Sequence, residues 1–124
     1  MIATTLVQSR HLLELGIDPK TADMSYSEEY FGKDKDGNDE WCWRLNACKF
    51  INVEGILPAW SLSALLEVMP NETRLLKAAD NGTYLCDIRG FSAAKWYDNP
   101  IDEVFFMIVY LLEQGLIEKE GKDD

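Results

Sequence analysis

The run Asp34-Lys35-Asp36-Gly37-Asn38 carries side-chain oxygens on alternate residues, as the opening of a calcium-binding EF-hand loop does. Such a loop also needs glycine at its sixth position for the sharp turn and glutamate at its twelfth for bidentate ligation. Asp39 and Leu45 stand in those places, and Leu45 has no side-chain oxygen. The run therefore reads as a solvated hairpin tip made of turn formers. A zinc site would have to recruit Cys42, Cys48, Cys86 and His11, the three cysteines and the single histidine of the chain. Structural zinc sites gather ligands on tight Cys-x-x-Cys knuckles, and the chain has none. No metal and no other cofactor is expected, and the cysteines read as buried, free, small hydrophobes.

Nucleophilic catalysis would need His11 as the base for a serine or cysteine. His11 lies between Val7 and Leu15 at the edge of an apolar helix face, which suits a boundary histidine. Ser61 and Ser63 lack the Gly-x-Ser-x-Gly surroundings of a nucleophile elbow and suit a helix start. Glu28-Glu29 and Asp39-Glu40 are adjacent on predicted strands, so their side chains diverge to opposite faces and make poor acid/base pairs. Asp102-Glu103 reads as decoration of a helix start. No phosphate-cradling glycine pattern occurs. What remains is aromatic: four Trp, five Tyr and five Phe. Most belong in the core, but Trp and Tyr are also favoured at protein interfaces, and Trp96, Tyr97 and Trp60 are the candidate interaction surface.

With 22 Asp and Glu against 12 Lys and Arg, the 124-residue chain has a net charge of −10. Its basic residues are scattered, so nucleic-acid and anionic-membrane partners are disfavoured, since both need a basic stripe. An odd cysteine count and the absence of a secretory leader pattern in the first residues point to a reducing, cytoplasmic setting. The longest apolar run, Val104 to Leu112, is far short of the about 20 residues that span a bilayer. The length fits a single domain over residues 1–117, with 118–124 a charged, frayed tail.

Patterning gives the elements that would position these residues. Thr5 and Gln8 have capping-box spacing for a helix from Thr5 to Leu15, ended by Gly16. Tyr26 to Leu45 reads as a hairpin with a polar tip from Gly32 to Glu40; Trp41, Trp43 and Leu45 alternate with Cys42 and Arg44 and share a face. Leu62, Leu65, Leu66 and Met69 mark a helix over Pro58 to Met69, started by Ser61 or Pro58 and stopped by Pro70. Asn81-Gly82 signals a second hairpin that sets Leu75 opposite Ile88 and Ala79 opposite Tyr84. Asn99-Pro100 caps a last helix, ended by Gly115, whose stretch from Val104 to Leu112 is apolar all round and so buried on most of its circumference. The expected fold is α+β, an antiparallel sheet from two hairpins with helices packed on one face.

Three stretches, LVQSRHLLELGIDPKTADM from Leu6, LPAWSLSALLEVMP from Leu57 and NPIDEVFFMIVYLL from Asn99, resemble a family of small uncharacterised proteins encoded by gut anaerobes and their phages or mobile elements. They cover 47 of the 124 residues. The resemblance implies no activity and assigns no site residue. The leading expectation is a non-catalytic accessory or protein-interaction module with a protein partner or a homodimer. A small enzyme pairing His11 with a cysteine or serine comes second, and an acidic nucleic-acid mimic third.

Overall fold

The structure, a computed structural model, describes residues 2–77, 84–88, 91–92 and 97–116. The chain opens with helix α1 (Leu6–Glu14). The Thr5 hydroxyl accepts from the Gln8 N–H and the Gln8 side chain accepts from the Thr5 N–H, so the expected capping box is formed. Gly16 follows at φ 95°, in the left-handed region that releases the chain from the helix. A short 3-10 turn (Pro19–Thr21) leads into β1 (Met24–Lys33), which turns back as β2 (Asp39–Asn46). The tip is tighter than the sequence suggests: only residues 34–38 lie outside the strands.

The stretch before the second helix departs from expectation. Pro58 does not start a helix; it sits in strand β3 (Ile56–Ala59), which pairs antiparallel with the first residues of β1. Proline is tolerated there because an edge strand turns some of its N–H groups away from the ladder. Helix α2 (Leu62–Val68) begins only after Ser61, whose hydroxyl accepts from the Ala64 N–H.

The second hairpin comprises β4 (Thr73–Lys77) and β5 (Tyr84–Ile88), extended by β6 (Phe91–Ser92). Its register differs from expectation: Leu75 faces Cys86 rather than Ile88, and Tyr84 faces Lys77. The shift is two residues, which leaves every side chain on its expected face, so burial alone does not select between the two registers. The Asn81-Gly82 turn lies outside the described residues, as does the tail. Helix α3 (Pro100–Glu113) closes the fold, with the Asn99 side chain accepting from the Ile101 N–H.

The fold is α+β. The two hairpins do not merge; they form two three-stranded antiparallel sheets, ordered β2-β1-β3 and β4-β5-β6. The main core gathers Leu12, Trp60, Leu65, Ile88, Val104 and Ile108 around α3, and a smaller cluster of Ala3, Met24 and Ala59 lies under the first sheet. Burying one large aliphatic side chain contributes about 1.5–3 kcal/mol, so α3 is the main packing element. Its apolar run is not buried all round, because Phe106 and Tyr110 are exposed. No helix among the described residues is long and apolar enough to cross a membrane.

Candidate interaction surface

β3 covers only Met24 to Ser27 of β1. Beyond that point, among the described residues, β1 and β2 pair only with each other, from Glu28 opposite Trp43 out to Lys33 opposite Asp39. The distal hairpin is thus a two-stranded ribbon, an arrangement marginal in water unless something packs on it. Its apolar side chains are largely uncovered: Trp41 is 57% exposed and Phe31 60%, with Tyr30 beside them. Tyr30 and Trp41 are opposed across the strands with ring centroids 5.1 Å apart, which lends the ribbon cross-strand support. A bulge falls between Tyr30 and Gly32, and Gly32 takes φ 98°. The extra residue is Phe31, and bulges of this kind re-aim a side chain.

Of the charged groups on the ribbon, Lys33, Asp34 and Asp39 serve the turn, while Arg44 Nη1 donates to Glu29 Oε1 at 3.4 Å across the strands. Asp34 Oδ1 accepts from the N–H of Asp36 and of Asn38, both at 2.9 Å. Lys33 Nζ reaches Asp39 Oδ1 at 2.9 Å, and the Tyr30 hydroxyl donates to the same oxygen. The Asp34 carboxylate that an EF-hand would offer to calcium is therefore engaged in holding the tip. Among the described residues, no group of three or more His, Cys, Asp or Glu is placed to hold a metal ion. Arg10 on α1 lies 5.7 Å above the Trp43 ring and ties the proximal half of the ribbon to the body.

The residues singled out from the sequence fall elsewhere. Trp60 is a correction: it is 0% exposed and offers no surface. Its indole N–H donates to Thr21 Oγ1 at 2.9 Å, and its backbone N–H donates to Thr4 Oγ1 at 3.1 Å. Trp96 lies outside the described residues. Tyr97 is half-buried and stacks on Phe106 at 4.8 Å. The cysteines divide. Cys86 is buried, but Cys42 and Cys48 are exposed, because Cys42 lies on the uncovered ribbon and Cys48 in the loop after it. Burial, with Glu103 and Asp87 nearby, pushes the Cys86 thiol up to about 11, so it carries no nucleophilic thiolate at neutral pH.

His11 is exposed, with its ring edge-on to Phe105 at 5.8 Å. It shares an open depression of about 350 Å³ with Val7, Arg10 and Glu14. These are residues of one helix face, with no thiol or hydroxyl among them.

Glu103 was invisible to sequence reasoning as anything but a surface residue. It is fully buried. Its Oε1 accepts from the Cys86 N–H at 2.8 Å, while Oε2 has no hydrogen-bond partner among the described residues. Tyr84 and Tyr97 exchange both backbone bonds, and an N–H two residues along a strand points to the same side. The Cys86 N–H thus faces the Tyr97 side of β5, where the Glu103 carboxylate accepts its hydrogen bond. Desolvation pushes the Glu103 carboxyl above its usual range, against the opposing pull of the Cys86 N–H. No sequence pattern marks it, because an acidic first turn is what the helix dipole favours anyway.

Comparison of the chain with family models, with curated proteins and with solved structures found no match.

Proposed function

We propose that the protein is a non-catalytic accessory module that acts through protein contacts, with the β1–β2 ribbon as its contact surface. The observation that carries this reading is the ribbon itself. It holds Tyr30, Phe31 and Trp41 away from the core, on strands that, among the described residues, pair only with each other over their distal half. Exposed aromatics on a protruding element are what interfaces use as anchors, and a partner would supply the packing the ribbon lacks. The net charge of −10 favours protein partners over nucleic acid or anionic membrane. The same composition, with its free cysteines, fits a reducing cytoplasm.

Light scattering together with affinity capture from native lysate tests the reading, comparing the natural chain with a Trp41→Ser, Phe31→Ser variant of equal stability. The expected result is an associated species, or a set of captured proteins, that the variant loses. A variant that retains the same mass and the same captured proteins would refute the assignment of the ribbon.

A further inference from the structure

The backbone groups left open on β2 follow from one residue. Pro58 has no N–H, so the Ser25–Pro58 pair of the β1–β3 ladder is one that exchanges no bonds. Bonded and non-bonded pairs alternate along an antiparallel ladder, and a residue that does not bond to one neighbour turns to the other. Ser25 therefore bonds to Asn46 on β2, and by twos so do Ser27 to Arg44 and Glu29 to Cys42. The tip agrees in phase, since the Asp34 N–H donates to the Asn38 carbonyl. The N–H and C=O groups of Trp41, Trp43 and Leu45 accordingly point away from β1, along an edge that pairs with no other strand among the described residues.

We infer that this edge pairs antiparallel with β2 of a second copy of the chain, about a two-fold axis at Cys42. The inference deepens the reading above and rests on it. Outward-pointing residues must face outward-pointing residues, so each permitted register places one residue on the axis. Only the register centred on Cys42 sets Glu40 opposite Arg44 of the second copy, and symmetry repeats that pair. On the other face, Trp41 stands opposite Trp43 of the second copy, also twice. Directly opposed unlike charges and aromatic pairs are what stabilise antiparallel neighbours. The net charge of −10 opposes self-association, but charges farther apart than about 8 Å are largely screened at physiological ionic strength. The directly opposed pairs therefore decide the register.

Cys42 reports on the geometry. Its pair across the axis is non-bonded, with Cα atoms about 4.5 Å apart, within the range a disulfide spans. Oxidised glutathione should then trap the pair: the two thiols lose two protons and two electrons to form one disulfide, and the reagent is reduced to two glutathione thiols. Sedimentation velocity on the full chain should show a concentration-dependent dimer, and trapping should survive Cys48→Ser but not Cys42→Ser. Glu40→Arg and Arg44→Glu each bring like charges together twice and should each weaken the dimer by about tenfold or more. The double swap should restore both the dimer and the trap. A natural chain that stays monomeric up to its solubility limit would overturn the inference, as would a dimer that both single reversals leave intact. A monomer whose captured proteins are still lost on the Trp41→Ser, Phe31→Ser change would sink the self-pairing alone and leave the contact-surface reading standing.

Discussion

On one side of β1 lies β3, four residues long, with Pro58 near its centre and both Pro58 and Ala59 buried. On the other side lies β2, eight residues long, with no proline and most of its side chains in water. β3 shows two of the devices by which sheets avoid joining other chains, shortness and a missing donor. β2 shows neither, and adds exposed tryptophan. In the second sheet a side chain serves a central strand instead: the N–H of Cys86 on β5 is met by the buried Glu103 carboxylate. Among the described residues, the β3 edge of the first sheet is thus guarded by its own proline, and the β2 edge is left open.

The comparison is sharpened most by emptying the closed side. Trp60→Ala removes the largest fully buried side chain and should lower stability by about 3–5 kcal/mol in urea unfolding, the usual loss for a buried aromatic truncated to alanine. A loss below about 1 kcal/mol would show that the β3–α2 junction does not organise the core.

Next comes the side-chain plug. Glu103→Ala should cost about 1–3 kcal/mol by orphaning the Cys86 N–H, whereas Glu103→Gln keeps an acceptor and should cost little. The pH dependence has a definite sign. Burial raises the native carboxyl pKa above the ordinary 4.5, so the folded state holds a proton that the unfolded chain has already released. The stability this group contributes is fully present below pH 4.5 and is lost as pH rises through the higher native value. Urea midpoints measured from acid to neutral pH should therefore fall for the natural chain at this step and flatten in Glu103→Gln. An unchanged profile would mean that Glu103 is ionised in the folded state at neutral pH.

Much of this was legible in the sequence where local chemistry decides the outcome. The Thr5–Gln8 box, the Ser61 and Asn99 caps and the α3 apolar run all depend on neighbours within one helical turn, and all formed. What the sequence could not settle depends on partners distant in the chain. Pro58 reads as a helix starter until β1 is known to lie beside it. Trp60 reads as surface material until Thr4 and Thr21 are seen to satisfy its N–H groups. Trp41, Trp43 and Leu45 do share a face, as alternation requires, but alternation does not say how far the covering layer reaches. Leu45 lies within it, Trp43 sits under Arg10, and Trp41 lies beyond it. The candidate site was missed for that reason: the aromatics were recognised, but their cover was not.

Opening the closed edge should have a smaller effect. Pro58→Ala restores an N–H that points away from β1 and frees the unfolded chain, and should cost about 1 kcal/mol by the entropy term with part of an unsatisfied donor added. Urea unfolding reads the loss, and hydrogen exchange should show whether the new amide is protected.

The smallest effect on stability belongs to the open edge, and it is the most informative. Trp41→Ser removes an exposed ring whose intramolecular support is mainly the Tyr30 contact, so the urea midpoint should move by the equivalent of about 0.5 kcal/mol or less. If Trp41 were holding the fold together, the change would approach the loss expected for Trp60, and the contrast between the two edges would collapse. A near-silent substitution in unfolding that abolishes association would instead separate the two roles of tryptophan in this chain. Trp60 would be the residue that the fold needs, and Trp41 the residue presented to whatever completes the sheet.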